Sequence, residues 1–538
     1  MNRAALNDLA APPDNNSPDN RSAARAIAVV GAGWAGLSAA YRLAKLGYNV
    51  TLYDGAPQAG GRARGLSLSL LGQARKLDNG QHLLIGAYTE TQNVLREALA
   101  SRTEFRQTDT VHDRATGTSD FRPNHRQIPF LLQQAQALID HTKNRANNRP
   151  NNRPNNRPDN RANLPDDLGN PVSLCFGRVS GADESAWLSW LPQAGTALGL
   201  LRAKGLGLKE KLAFVRFMAT LKRANFLGFD GSTVLTLLRA TEQPAGLIAR
   251  VWDPLCVSAL NTGIDRACAQ TFVNVLKDSL GAAPTRRRET ANQSAKALYP
   301  SDYIIPNHDL TEYFVTPLLA AFQKLGGQLQ LRHTVRSLID ISAHHIVLAI
   351  PPYAVAVLLD TAQAALAQRL NQFDYQSITT VYLAWDCALP QLNGAPLLLK
   401  DEPNEGAYGQ WLFDRGFENG IHVAAVVVSA RGRYANLDTE TLSANIAHQV
   451  HRQTGLPIAQ TWRAINEKRA TFTCTPDRPR LSETEMNFTH PSNPSKNIFL
   501  AGDYCYPRYP ATLESAVRSG LRAADRVQLS IEGSSKAL

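Results

Sequence analysis

Apolar and polar positions switch between two periods along the chain, most sharply near its start. Ile27, Ala28, Val29 and Val30 form the continuous apolar run that a buried strand needs. Leu37, Ala40, Leu43, Ala44 and Leu46 then recur at helical spacing, and Asn49 to Tyr53 returns to strand character. The pattern predicts strand, helix and strand within residues 27–54.

Further along, Trp187 to Leu280 has long apolar-periodic segments and few β-branched runs. Leu212, Val215, Met218, Ala219 and Lys222 keep the helical period, as do Val234, Leu237, Leu238 and Thr241. This helical region could line an apolar tunnel, although mutual packing of the stripes explains most of them. Asp309 and Glu312 have the spacing of a capping box, predicting a helix through Leu325 that stops at Gly326-Gly327. Gln328 to Leu338 alternates like a strand, and the run before Pro351-Pro352 reads as a buried strand ending at a proline turn. Thr379 to Trp385 and His422 to Val428 are β-type runs, with a helix expected over Ala444 to Gln453. Two stretches break the pattern. Residues 1–25 are rich in Asn, Asp, Pro and Ala, and residues 146–163 repeat an Asn-Asn-Arg-Pro unit without apolar side chains. Neither can bury surface to offset its ordering entropy, so both are expected to be disordered.

Between the first strand and helix lies Gly31-Ala32-Gly33-Trp34-Ala35-Gly36, a G-x-G-x-x-G in the context that gives it meaning. Gly31 permits the tight turn, Gly33 lets a pyrophosphate approach the backbone, and Gly36 lets helix and strand pack closely. The helix N-terminus, starting at Trp34-Ala35, offers N–H donors and the positive end of a dipole. Asp54 lies 18 residues beyond Gly36 (54 − 36), where a carboxylate accepts ribose hydroxyls and repels a 2′-phosphate. FAD or NAD is thereby favoured over NADP. Gly60-Gly61-Arg62-Ala63-Arg64 follows. Alone it reads equally as a flexible turn with solvated arginines; beside the fingerprint, a second phosphate-side contact by Arg62 is the expectation.

The chain has 538 residues, 43% of them hydrophobic and 19% charged, the composition of a globular protein of two or three domains. A net charge of +11 comes from dispersed arginines, which argues against a nucleic-acid partner and leaves an anionic membrane surface as the candidate. Arg286-Arg287-Arg288 reads as a solvated run, with phospholipid contact the sharper alternative. The six cysteines are scattered, with no C-x-x-C or other metal-type spacing. His344 and His345 are adjacent and would point to opposite sides of a strand, so no metal site is predicted. No targeting peptide or spanning segment is legible, and a cytoplasmic place with peripheral contact to the inner membrane is the expectation.

The stretch from Gly31 to Arg64, followed by Leu77-Asp78-Asn79-Gly80-Gln81-His82, resembles the flavin amine oxidase and phytoene desaturase superfamily. The wording DNGQHLLIGAY further resembles the bacterial squalene-associated FAD-dependent enzymes, the hydroxysqualene dehydroxylases. Residues 249–261, with Trp252, Pro254, Leu255, Ala259 and Asn261, resemble a stretch of that family's substrate-binding helices. Near the C-terminus Ala501-Gly502-Asp503 and Tyr509-Pro510-Ala511-Thr512 resemble the superfamily's closing cofactor motif.

The resemblance implies an α/β fold: an FAD/NAD(P)-binding Rossmann-like domain (26–100, 300–352 and 490–530) interrupted by a discontinuous substrate domain of mixed sheet plus helices (101–299 and 353–489, with the helical region at 187–280). It implies FAD, with Gly61 and Arg62 near the phosphates, Asn79, Gly80 and Gln81 near the cofactor, and a backbone contact from Val335 to the adenine. Asp503 would meet the ribityl-pyrophosphate region, while the helix beginning near Ala511 and Thr512 points its N-terminus at the isoalloxazine. The implied substrate is an apolar isoprenoid, hydroxysqualene, reduced to squalene, with His82 the first candidate for donating a proton. Its bland reading is a hydrogen-bonded histidine shaping the flavin pocket. Only one dinucleotide fingerprint is present, so the electron donor is not identified. The rivals are a carotenoid-type desaturase, an amine oxidase and a non-catalytic prenyl-binding protein of the GDP-dissociation-inhibitor kind.

Overall fold

The computed structural model describes residues 26–103, 125–128, 130–135, 173–176, 199–200, 202–280, 299–390, 392, 394–430 and 432–536. The expected N-terminal tail, the repeat insert and the Arg286-Arg287-Arg288 loop lie outside the described residues.

The strand Ala26–Val30 sits inside a six-stranded sheet, with Asn49–Tyr53 and Gln328–Gln330 to one side. His345–Leu348, Asn493–Leu500 and Asn487–His490 lie on the other. The first five strands run parallel, and only the edge strand Asn487–His490 is antiparallel. Parallel strands are covered on both faces, which is why the early run is apolar without alternation. Ile27 and Val29 join a core with Leu37, Leu43, Phe314, Phe322, Val517 and Val527. Ala28 and Val30 join a second core on the opposite face, with Ile346, Leu348 and Trp252. Helices Trp34–Lys45, Thr89–Thr103, Thr316–Lys324 and Leu513–Lys536 pack on one another beside the sheet. A β-carbon on Gly520 would stand 2.1 Å from the carbonyl oxygen of Ala35, so the long C-terminal helix needs glycine where it crosses the first.

A second sheet is antiparallel, in the order Leu397–Leu398, Trp411–Glu418, Ile421–Val428, Tyr375–Trp385 and Thr461–Phe472. Val381, Leu383, Val426 and Val428 face a helix, Thr439–Thr454, through Leu442, Ile446 and Val450. The alternate residues Tyr382, Ala384, Phe413 and Val427 belong to the core shared with the helical region. That region holds Leu208–Arg223, Val234–Ala240 and Ala269–Leu280, together with a segment that passes through a π-turn at Ile248–Trp252 into Asp253–Leu260.

Several elements differ from the sequence pattern. In Leu208–Arg223 the buried face is Ala213, Phe214, Phe217 and Leu221, whereas Leu212 and Val215 are exposed. The rings of Phe214 and Phe217 win the inward positions because they pack on Trp252. Asp309 does accept from the N–H groups of Thr311 and Glu312, at 2.8 and 3.3 Å, but Glu312 turns to Lys76 and His308 instead of closing a capping box. The strand predicted through Leu338 stops at Gln330, since beyond it the chain bonds to the turn after Tyr53: Arg332 N–H donates to the Ala56 carbonyl and His333 N–H to that of Asp54. Pro351-Pro352 opens the helix Pro352–Leu358 rather than a turn, as suits proline in a first helical turn. Among the described residues no helix is long and apolar enough to cross a membrane.

Candidate functional site

Backbone requirements shape the chain where the first strand ends. Gly31 has φ 105°, and a β-carbon there would fall 2.5 Å from the Ala349 carbonyl oxygen. Gly33 bridges to Gly60, and a β-carbon on Gly61 would lie 3.1 Å from the Gly33 Cα. Gly33 precedes the helix Trp34–Lys45 and has no side chain to cap it, so its first N–H groups are left for another acceptor. Trp34 and Ala35 in that first turn line a cavity of about 1010 Å³. The Trp34 indole itself faces away: its Nε1 donates to the Ala63 carbonyl at 2.9 Å and its ring stacks 3.8 Å from Phe314.

The same cavity is lined by Gly31, Gly33, Asp54, Gly61, Arg62, Asn79, Gly80, Gln81, His82 and Val335, and by Gly502, Asp503, Ala511 and Thr512 from the far end of the chain. Gly36 does not line it. A β-carbon on Gly36 would stand 1.8 Å from the Gly31 carbonyl oxygen, so this glycine serves the packing of helix against turn.

Asp54 is held by two backbone donors, Ala32 N–H at 2.6 Å and Ala56 N–H at 2.8 Å, one on each oxygen. Each oxygen keeps a second lone pair, so the carboxylate can still accept ribose hydroxyls. Arg62 departs from the sequence expectation. Its Nη2 meets Asp503 Oδ2 at 2.8 Å, and its Nη1 donates to the carbonyls of Ala470 at 2.8 Å and Arg469 at 3.2 Å. The guanidinium is thus mostly committed to joining the glycine loop, the Gly502-Asp503 junction and the strand Thr461–Phe472, which limits what remains for a phosphate.

Asn79 donates to the Arg62 carbonyl and to Glu467 Oε2, each at 3.3 Å. Gln81 N–H donates to Thr380 Oγ1 at 3.1 Å, while Gln81 Oε1 is buried with no hydrogen-bond partner. An unmet acceptor in a cavity wall is what a bound polar group would satisfy. With the uncapped helix start and the glycine cradle, it fits a flavin dinucleotide. His82 Nδ1 lies 2.6 Å from the Gly80 carbonyl, so Nδ1 carries the proton and Nε2 presents a lone pair. Burial lowers the His82 pKa to about 4 despite that bond. The reason for choosing it as proton donor, titration near neutrality, is therefore absent from the folded protein.

At the other end Gly502 has φ 149°, and Thr512 and Ser515 exchange side-chain-to-backbone hydrogen bonds at 2.9 and 3.1 Å, starting Leu513–Lys536. Cys505 is buried and does not line the cavity.

Part of the wall comes from the stretch that resembles substrate-binding helices, and part was passed over by sequence reasoning. Leu255, Ser258, Ala259 and Asn261 line the cavity, whereas Trp252 packs behind them, its Nε1 bonded to Gln243 Oε1 at 3.0 Å. Phe272, Val275 and Leu276 come from Ala269–Leu280, and Trp411 and Phe413 from the second sheet. The alternation of Trp411 and Phe413 was a readable signal for one face of a strand. Among the polar wall residues, Tyr509 hydroxyl bonds to Asp278 Oδ2, and Arg508 lies 3.3 Å from the same carboxylate. Glu514 accepts from Glu90 N–H, Thr91 N–H and Thr91 Oγ1 at 2.7–3.0 Å and from Arg518 at 2.7 Å, so its lone pairs are spent on starting the helix Thr89–Thr103. Among the described residues no group of three or more His, Cys, Asp or Glu converges as a metal site.

Residues 311–528 match the family of flavin containing amine oxidoreductases, and residues 29–98 match an NAD(P)-binding Rossmann-like domain. The chain is 24% identical over 528 residues to a hydroxysqualene dehydroxylase of Rhodopseudomonas palustris, covering 94% of this chain and 98% of the relative. It is also 24% identical over 527 residues to one of Zymomonas mobilis, covering 92% and 97%. Among solved structures, cyclohexylamine oxidase from Brevibacterium oxydans superposes with a TM-score of 0.57 at 12% identity, over 94% of this chain and 99% of that one. An oxidoreductase from Methanosarcina mazei gives 0.55 at 14% identity, over 93% and 100%. With its glycine cradle, its C-terminal junction and this pattern of likeness, the chain is an FAD-dependent oxidoreductase whose residues 311–528 are similar to the flavin containing amine oxidoreductases.

Proposed function

We propose that the protein reductively removes the hydroxyl of hydroxysqualene to give squalene, in a chain divided into an FAD-binding part (26–100, 300–352 and 490–530) and a substrate part. The observation that carries this reading is the wall beyond the glycine cradle. Leu255, Ala259, Phe272, Leu276, Trp411 and Phe413 make it apolar, which suits a long hydrocarbon. The names of the relatives at 24% identity point the same way. FAD, when bound in reduced form, supplies the hydride that replaces the hydroxyl.

The chain's own part is to hold the hydrocarbon, exclude water and deliver a proton to the departing oxygen, which leaves as water. We assign that proton to Tyr509, bonded to Asp278, rather than to His82. Burial and the Asp278 carboxylate push the Tyr509 pKa well up, so the phenol keeps its proton across the physiological range. His82 is neutral there and its one N–H is fixed in the ring plane toward Gly80, whereas the Tyr509 hydroxyl, now bonded to Asp278, can rotate to a new acceptor. Aromatic faces at Trp411 and Phe413 can shelter cation-like character at the reacting carbon.

The test is anaerobic reduction of the purified protein followed by hydroxysqualene. Flavin reoxidation with formation of squalene is the expected result; no reoxidation refutes the reading. Oxidised protein that instead introduces double bonds into a carotenoid-type polyene would assign the cavity to a desaturase.

A further inference from the structure

The helix Leu208–Arg223 carries apolar residues on two faces. The inner face packs Phe214 and Phe217 on Trp252, at 4.7 and 4.8 Å between ring centroids. The outer face presents Leu208, Leu212 and Val215, which are 73%, 56% and 51% exposed, and half-buried Ala219 continues the same stripe. Residues spaced by four, three and four fall on one side of a helix. The borders of this stripe are basic: Lys209, Arg216 and Arg223 run along one edge, Lys211 and Lys222 along the other.

The helix holds five basic residues and one acid, and the acid is turned inward. Glu210 bonds Arg250 at 2.5 Å and the Gly207 N–H at 2.9 Å. Just past the helix, Asn225 and Phe226 adopt left-handed φ values of 51° and 58°, a costly conformation for residues bearing a β-carbon. The turn they make leaves Leu227 64% exposed.

We propose that this face docks on the surface of an anionic lipid bilayer. Leu208, Leu212, Val215 and Leu227 enter the boundary between headgroups and acyl chains, while the basic borders meet lipid phosphates. A second copy of the chain is a poorer occupant, because self-docking would press one set of basic borders against another. The inner side of the same helix rests on Trp252, and the next turns of that segment place Leu255, Ser258 and Ala259 in the cavity wall. Docking would therefore put the apolar part of the cavity one helix layer from the bilayer. The inference does not depend on which apolar substrate is used, and its test reads binding rather than turnover.

The experiment is flotation of the full-length, FAD-loaded protein with vesicles of phosphatidylcholine alone or mixed with phosphatidylglycerol. The expected result is preferential binding to the anionic vesicles that weakens with added salt. Leu212→Glu/Val215→Glu and Arg216→Glu/Arg223→Glu should each lower the partition coefficient about tenfold or more, given the strength of basic side chains at such surfaces. Arg96→Glu/Arg463→Glu changes net charge equally on other exposed elements and should lower it less than about threefold. Unchanged flavin absorbance and melting temperature verify that each variant is folded. Absence of vesicle binding, equal binding to neutral and anionic vesicles, or equal losses in the control pair would overturn the proposal. So would a wild-type dimer that Leu212→Glu/Val215→Glu converts to monomer without altering vesicle binding, which would assign the face to a second copy.

Discussion

His345 offers a measurement of how the flavin-side sheet depends on pH. It lies in the strand His345–Leu348, paired with Ile27 on one side and Asn497 on the other, and is 8% exposed. Neither ring nitrogen has a hydrogen-bond partner, and the ring stacks 6.2 Å from Phe499. Burial, with a smaller contribution from His344, lowers its pKa from 6.5 to about 4. The unfolded chain therefore takes up a proton below pH 6.5 that the folded chain refuses until about pH 4. Stability from this group is complete above pH 6.5 and is lost as pH falls toward 4. At pH 5 the integrated loss is about 2 kcal/mol.

His345→Leu removes this dependence while keeping an apolar side chain in the strand. Denaturant unfolding of both proteins at pH 8 and pH 5 should show a drop smaller by about 2 kcal/mol in the variant. Asp78, whose pKa burial raises to about 6, acts in the opposite sense, losing stability as pH rises, but it is common to both proteins and cancels. Equal drops in the two proteins would mean that the imidazole is not held neutral, and the reasoning would fail.

Other changes test the cofactor cradle and the cavity. Gly36→Ala, whose β-carbon would stand 1.8 Å from the Gly31 carbonyl oxygen, should leave the purified protein nearly flavin-free by absorbance. Gly47→Ala, with φ 86° and nothing within 4 Å, should keep its flavin and lose only about 1 kcal/mol of stability. Tyr509→Phe should retain flavin and slow kcat by about a hundredfold, while His82→Ala slows it less than about tenfold; the reverse order in steady-state assays would return the proton to His82. Leu276→Trp should fill the apolar end of the cavity and slow flavin reoxidation by hydroxysqualene about tenfold or more without changing the flavin spectrum.

Features dictated by backbone sterics were readable from the chain. The tight turn at Gly31 and the close packing at Gly36 were legible, and the structure gives both a close approach, at 2.5 Å to the Ala349 carbonyl oxygen and 1.8 Å to that of Gly31. Strands buried on both faces were also readable, because continuous apolar runs such as Ile27 to Val30 leave little choice of neighbour. What was not readable depended on competition between candidates of similar hydrophobicity. On Leu208–Arg223 two apolar stripes were available, and Phe214 and Phe217 took the inside because they meet Trp252, a contact 35 or more residues away (252 − 217). Arg62 was read by its neighbours in sequence, yet its partners are Asp503 and the carbonyls of Arg469 and Ala470. The ordinary titration of imidazole does not hold for His82, because burial and, to a lesser degree, the Arg62 charge lower that value. Long-range partners and desolvation are properties of the fold, and short motifs do not encode them.

The parallel sheet that carries the glycine cradle is assembled from strands at Ala26–Val30, His345–Leu348 and Asn493–Leu500. During synthesis the first βαβ unit leaves the ribosome without the strand that must flank it, and must wait for more than three hundred residues (345 − 30) before that neighbour emerges. Pairing across such separations is slow, and the glycine turn stays solvated meanwhile. The Gly502-Asp503 junction and the helix Leu513–Lys536 emerge later still, so a nascent chain cannot close this cavity until more than four hundred residues beyond the glycine turn have been made (502 − 36). Flavin capture would then report that these distant segments have met, and flavin shortage would leave an unclosed sheet exposed to aggregation or proteolysis.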